Sequence, residues 1–209
     1  MVRNKPLAVM IMAAGQSSRF GSCKLISEID GQPLLLRTIN TARQLCPDDC
    51  WVITGAWHDQ ICQILSEQQP EQLAANLIRH RGWQAGLGSS IALGIRTLSR
   101  QYDAVMVVLA DQVDLTTSGL QQLRQNFDGS NIVCAHYQNR NAVPAIFGRN
   151  SFPELITLTG DQGARALLQQ QQIPVIACPM PDAAWDIDHP EDLQEYHQRH
   201  LLNSESKPI

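Results

Sequence analysis

Residues 7–25 read LAVMIMAAGQSSRFGSCKL. The first six are apolar, and the run breaks at once into small residues, a glycine, hydroxyls and two cations. A short apolar run bounded by turn residues predicts a buried strand. The loop that follows is unusual for a plain connection. Gly15 and Gly21 remove side chains, so backbone N–H groups can approach an anion. Ser17 and Ser18 add hydroxyls, Arg19 a rigid fork of donors and Lys24 a mobile point charge. Together they point to a phosphate site at a strand tip. The spacing is neither G-x-G-x-x-G nor the G-K-[ST] ending of a P-loop, so a dehydrogenase or P-loop NTPase is not indicated.

The same alternation continues outward. Strand candidates fall at 7–12, 50–54, 76–80, 104–110, 131–137, 143–147 and 174–178. Helix-patterned segments lie between them, at 33–45, 58–68, 89–99, 117–127, 163–171 and 190–202. In the first, Leu34, Leu35, Ile39 and Ala42 recur at helical spacing and make one apolar stripe. Continuous apolar strands suit a parallel sheet covered on both faces. The expected fold class is therefore α/β, a three-layer α/β/α, Rossmann-like domain with a mostly parallel sheet. The less regular second half leaves room for an antiparallel strand or two.

With 209 residues, 44% hydrophobic and 17% charged, the chain suits one domain over 1–202 and a frayed tail over 203–209. A formal charge of −4 does not suggest a nucleic-acid partner. The six cysteines form no CxxC pair and read as free thiols of a reduced compartment. The first apolar run is too short for a membrane span and leads into no cleavage site, so a cytoplasmic location is expected, with no membrane partner.

Ligands of such sheets bind at the carboxyl ends of strands. Four further segments fit that rule. VMVVLADQVD (105–114) ends an apolar strand in Asp111, well placed to hold Mg²⁺ with phosphate oxygens. Its competing role is helix capping, but Thr116 and Thr117 are better caps. In WDIDHPEDL (185–193), Asp186 and Asp188 alternate along an extended segment and point to opposite faces, so only one can face a site. Pro190 fits the first helical position, and Glu191 and Asp192 suit the first turn. RGWQAGLGSSIALGI (81–95) places Gly86 and Gly88 before a helix opening with Ser89 and Ser90, whose N-terminus could bind a base edge or a phosphate. GDQGAR (160–165) sets Asp161 and Arg165 at a short helix start, where the arginine could clamp a phosphate. The histidines offer no catalytic arrangement: His197 and His200 read as surface, and His58 and His136 have no evident partner.

The series G-x-S-x-R-x-G-x-x-K, GLGSSIALG, VLADQ, VPAIF, GDQGAR and DIDHPEDL, in that order, resembles the MobA-like NTP transferases, nucleotidyltransferases of the molybdenum cofactor. The resemblance reaches to about residue 196. It implies a nucleotide-diphospho-sugar transferase type of fold and an Mg²⁺-dependent transfer. Arg19, Lys24 and Asp111 would be catalytic, and Asp111 and Asp188 would hold the metal. Ala13, Ala14, Gly15, Ser17, Ser18, Arg19, Lys24, Gly86, Ser89 and Ser90 would bind the nucleotide. Pro144, Asp161 and Arg165 would lie toward the acceptor. An AAG start (Ala13, Ala14, Gly15) implies CTP where AGG accompanies GTP. The implied acceptor is the molybdopterin cofactor, with a molybdoenzyme receiving the product. This chain departs from the family at His80, where asparagine is usual, at Val113 for proline, and at Ala142-Val143 before Pro144 for glycine-histidine. A GTP- or sugar-phosphate-directed transferase, or a non-catalytic protein delivering cofactor, are the other readings.

Overall fold

The computed structural model describes residues 7–67, 75–169 and 172–205. A seven-stranded sheet runs in the order β5-β4-β1-β6-β8-β7-β9. Its strands are β1 (Leu7–Ala13), β4 (Cys50–Thr54), β5 (Asn76–Arg79), β6 (Ala104–Leu109), β7 (Ile132–Tyr137), β8 (Arg140–Gly148) and β9 (Val175–Pro179). All neighbours pair in parallel except β8, which is antiparallel to both β6 and β7. A small hairpin, β2 (Glu28–Ile29) with β3 (Gln32–Pro33), stands apart. The helices are α1 (Leu34–Leu45), α2 (His58–Glu67), α3 (Leu87–Leu98), α4 (Thr117–Asn126), α5 (Phe152–Leu155), α6 (Arg165–Gln169) and α7 (Pro190–Glu205).

Strand β1 explains the layering. Its side chains alternate between two faces. Val9 and Ile11 join Leu35, Ile39, Leu120 and Tyr196, from α1, α4 and α7. Ala8, Met10 and Met12 join Ile91, Ile95, Leu155 and Leu167, from α3, α5 and α6. An uninterrupted apolar run is what a strand with a core on each side requires. Helix α3 sits close because glycines face its neighbours. At Gly88 a Cβ would stand 2.8 Å from the Thr159 carbonyl oxygen, and at Gly94 it would overlap Met10.

Two differences from the sequence reading have local causes. Strand β8 begins at Arg140, because Gln138 and Asn139 both take left-handed backbone (φ 48° and 58°) and close a two-residue hairpin with β7. Asp30 and Gly31 do the same between β2 and β3 (φ 52° and 75°). Helix α7 continues to Glu205, into the stretch expected to fray, and 206–209 lie outside the described residues. The helix expected over 163–171 is described as α6 only; residues 170 and 171, like Gln68 of the helix expected at 58–68, lie outside. All six cysteines are free, and burial pushes the Cys50 and Cys134 thiols up to about 12. Among the described residues no helix is long and apolar enough to cross a membrane.

The Gly88 contact makes a testable point about packing. Gly88→Ala forces a methyl against rigid backbone, and overpacking of this kind costs about 1–3 kcal/mol. Thermal unfolding of the variant should show a Tm lower by several degrees, with the secondary structure unchanged by circular dichroism.

Candidate active site

The parallel strands deliver their carboxyl ends to one edge of the sheet. There Ala56 N–H donates to the Ala14 carbonyl (3.2 Å), His80 N–H to Thr54 O (2.7 Å) and Ala110 N–H to Met12 O (3.2 Å). The tips of β1, β4, β5 and β6 are thus stitched into one rim. The loop after β1 turns at Ser17, where φ is 53° and the carbonyl accepts from Phe20 and Gly21 N–H groups (3.0 and 3.1 Å). Trp57 Nε1 holds the Gln16 carbonyl at 2.9 Å.

Lys24 opens a 3-10 turn, Lys24–Ile26, between buried Cys23 and Leu25. Those anchors aim its side chain inward. Its ammonium has three protons and finds three oxygens. They are Asp111 Oδ2 at 2.7 Å, Asp188 Oδ1 at 3.0 Å and the Ile187 carbonyl at 2.6 Å. Burial alone would lower the Lys24 pKa, but the Asp111 and Asp188 carboxylates outweigh it and raise it. The Lys24 hydrogen bond, and after it the charges of Lys24 and Arg19, hold the Asp188 carboxyl below its ordinary value despite some desolvation. Arg19 Nη1 reaches Asp188 Oδ2 at 3.0 Å, in a more exposed pair.

Asp188 is brought to Asp111 by the backbone. Val113 N–H donates to the Trp185 carbonyl (3.2 Å) and Ile187 N–H to the Asp111 carbonyl (3.2 Å), so 185–188 runs along the end of β6. Gln112, buried, clamps both sides through Nε2, to Val143 O at 3.1 Å and Ala183 O at 2.8 Å. Asp192 then fixes the turn, its Oδ2 accepting from the Asp188 and His189 N–H groups at 2.7 Å each. Asp114 is engaged elsewhere, accepting from the Tyr196 hydroxyl at 2.9 Å.

These groups floor a cleft of about 450 Å³. Ala13, Ala14, Gly15, Ser17, Ser18, Arg19, Lys24, Asp111 and Asp188 line one end, with Trp83, Gly86, Ser90 and Asp161 completing it. Asp161 stands here because 159–161 docks on the start of α3: Gly88 N–H donates to Gly160 O (2.8 Å) and Gly160 N–H to Ala85 O (2.9 Å). Gly86, at φ +92°, is needed there; a Cβ would overlap the Gly160 carbonyl. Ser89 is absent from the lining, since its hydroxyl turns back to the Gly86 carbonyl at 2.7 Å.

A second cavity of about 230 Å³ adjoins the cleft, sharing Leu87 and Leu109 with it. Arg165 lines it, so Arg165 and Asp161 serve different compartments. Pro144 is buried within β8, and Ala142 and Val143 line the cavity in its place. The histidines expected to lack partners have them: His58 Nδ1 lies 2.7 Å from Thr54 Oγ1 and His136 Nδ1 2.9 Å from Asn141 Oδ1.

Asp186 is the group that sequence reasoning set aside. Alternation does send it away from Lys24, but into the second cavity rather than a neutral core. Its Oδ1 is buried without a hydrogen-bond partner in the structure. Burial, then the charges of Asp111 and Asp188, raise its pKa to about 7. The folded chain therefore keeps this proton after the unfolded chain has lost it. Stability falls as pH rises from the ordinary carboxylate range through about 7. Asp186→Asn removes that penalty. The Tm of the variant should match wild type near pH 4 and exceed it increasingly toward pH 8, as followed by thermal denaturation across pH.

Comparison with known proteins agrees with this architecture. The chain is 30% identical over 141 residues to the bifunctional protein GlmU of Cutibacterium acnes, but spans only 31% of that protein's length. It is 28% identical over 201 residues to the purine catabolism protein PucB of Bacillus subtilis, covering 91% of this chain and 96% of PucB. A probable molybdenum cofactor guanylyltransferase of Nostoc sp. is 24% identical over 202 residues, covering 90% and 88% of the two chains. Among solved structures, Rv0371c of Mycobacterium tuberculosis H37Rv superposes with a TM-score of 0.76 at 20% identity, covering 93% of this chain and 99% of its own. A nucleotidyl transferase from Methanothermobacter thermautotroptrophicus gives 0.77 at 18% identity, covering 96% and 99%. The profile of the MobA-like NTP transferase domain matches residues 9–175, so a strand-tip cleft of this build has a family: the chain belongs to the MobA-like NTP transferases, which are nucleotidyltransferases.

Proposed function

We propose that this nucleotidyltransferase moves CMP from CTP to the terminal phosphate of the molybdopterin cofactor, releasing pyrophosphate and forming the cytosine dinucleotide. The observation that carries the reading is the Lys24 ammonium joined to Asp111 and Asp188 beneath the glycine-serine-arginine loop. An acceptor phosphate oxygen attacks the α-phosphorus, and the bond to the β-phosphate oxygen breaks. A phosphate monoester is already largely ionised near neutral pH, its second pKa being about 6. No general base is needed, in keeping with histidines that have structural partners. What the reaction needs is alignment and charge neutralisation.

Lys24 and Arg19 supply cations for the triphosphate and the departing pyrophosphate. On binding, Lys24 exchanges carboxylate oxygens for phosphate oxygens. Gly15, Ser17 and Ser18 of the loop line the cleft and offer backbone and hydroxyl donors for the same charge. Asp111 and Asp188 fit a divalent cation: Asp111 Oδ1 is buried with no partner in the structure. No group of three or more His, Cys, Asp or Glu side chains converges among the described residues. Two carboxylates completed by phosphate oxygens are the donor set Mg²⁺ accepts. Bound there, the ion would supply further positive charge against the phosphates. A structure of Rv0371c is described as a complex with manganese.

The acceptor side is supported by the second cavity. It places Arg165 and Arg140 near its mouth and adjoins the cleft at Leu109. The AAG start supports CTP, while the guanylyltransferase relative makes GTP the competitor to test. We further propose action in the cytoplasm, with a molybdoenzyme receiving the product.

The test is pyrophosphate release with Mg²⁺, offering CTP, GTP, ATP and UTP separately, with molybdopterin cofactor, with a sugar phosphate, or with no acceptor. Release with CTP only when the cofactor is present is the expected result. Release with GTP overturns the base assignment. Release only with a sugar phosphate overturns the acceptor, and nucleotide binding without release favours a delivery protein. Lys24→Ala and Asp111→Asn should each lower kcat about a hundredfold or more, with unfolding transitions that stay cooperative.

A further inference from the structure

The cleft also holds a pair that the phosphate chemistry does not use. Ser90 lines the cleft from the first turn of α3 and is only 1% exposed. Its Oγ lies 2.9 Å from His80 Nδ1. His80 follows β5, and its own backbone N–H is tied to the Thr54 carbonyl, which sets the base of the ring. The other ring nitrogen, Nε2, looks toward exposed Gly82, where a Cβ would stand 3.3 Å away.

The His80 tautomer sets how the protons of the pair are arranged. Burial lowers the His80 pKa from its ordinary value, so the ring is neutral at pH 7 and has one N–H. If that N–H were on Nδ1, it would donate to Ser90 Oγ. The hydroxyl proton would then turn into the cleft, toward a bound base. With the N–H on Nε2, beside exposed Gly82, Ser90 donates to Nδ1 instead. That tautomer leaves Ser90 Oγ presenting only lone pairs to the cleft.

We propose that His80 holds the Ser90 hydroxyl as an acceptor toward the base, so that the cleft selects a base offering an exocyclic amine over one offering a carbonyl there. The inference rests on the cleft being the nucleotide site, as proposed above. Cytosine meets Ser90 Oγ with an N–H donor. Uracil meets it with an oxygen, and a buried acceptor facing an acceptor leaves both unpaired. His80 is in this scheme a positioning residue, and Ser90 makes the contact.

The test is calorimetric titration of the full chain with CTP, UTP and base-free tripolyphosphate, each with Mg²⁺. Wild type should bind CTP about tenfold more tightly than UTP or more. Ser90→Ala should bring that ratio close to one while tripolyphosphate binds as before. His80→Ala frees the hydroxyl to rotate and donate, so the ratio should narrow although Ser90 remains. A purely structural His80 would weaken all three ligands together and keep the ratio, which would overturn the inference. So would a wild-type chain that binds UTP as tightly as CTP, leaving the cleft reading intact. Failure of wild type to bind any triphosphate would overturn both.

Discussion

One cation organises the centre of this molecule. Lys24 is nearly buried, and its three protons are divided among Asp111, Asp188 and the Ile187 carbonyl. These come from places far apart in the chain: the loop after β1, the tip of β6 and the strap before α7. Two carboxylates this close would repel without a cation between them, and a part-buried ammonium would be costly without them. The loop, the strand tip and the strap therefore depend on one another. Gln112 and Asp192 hold the backbone so that the three groups meet. The same interdependence makes the site responsive: any anion that draws Lys24 away leaves two carboxylates in need of another cation.

Much of the frame was legible in the amino-acid sequence. The run LAVMIM has no polar face, and a strand apolar on both sides must lie inside a sheet with helices above and below. Thr116 caps α4, as its hydroxyl and position suggested, accepting the Gly119 N–H at 3.2 Å. Pro190 opens α7. The residues that the structure gathers in the cleft are mostly those that follow apolar runs.

What the sequence could not show depended on contacts between distant segments. Alternation correctly put Asp186 opposite Asp188, yet could not say that the opposite side is a cavity. Ser89 and Ser90 look equivalent in the sequence, but one turn of α3 sends the first back to Gly86 and the second to His80. Pro144 lies in β8 among core residues, and its neighbours take the cavity wall. The hairpin at 138–139 lacks the asparagine-glycine pair that marks such turns, whereas Asp30-Gly31 carries a strong signal of its own. Gln112 stood in a quoted motif, but its clamp needs Val143 and Ala183, which only the fold brings near.

The reversed strand β8 has a consequence for how this architecture can diversify. Because β8 runs against its neighbours, its first residues arrive at the same rim as the last residues of β6 and β7. Tyr137 and Arg140, on either side of the 138–139 turn, line the second cavity, whereas none of the direct partners of Lys24 lies in this hairpin. Lengthening or recolouring that hairpin would reshape the second cavity while Lys24 keeps its direct contacts. The sheet thus sets a cavity walled by one hairpin beside a cleft floored by the Lys24 cluster, so the first can vary at its turn without moving the second.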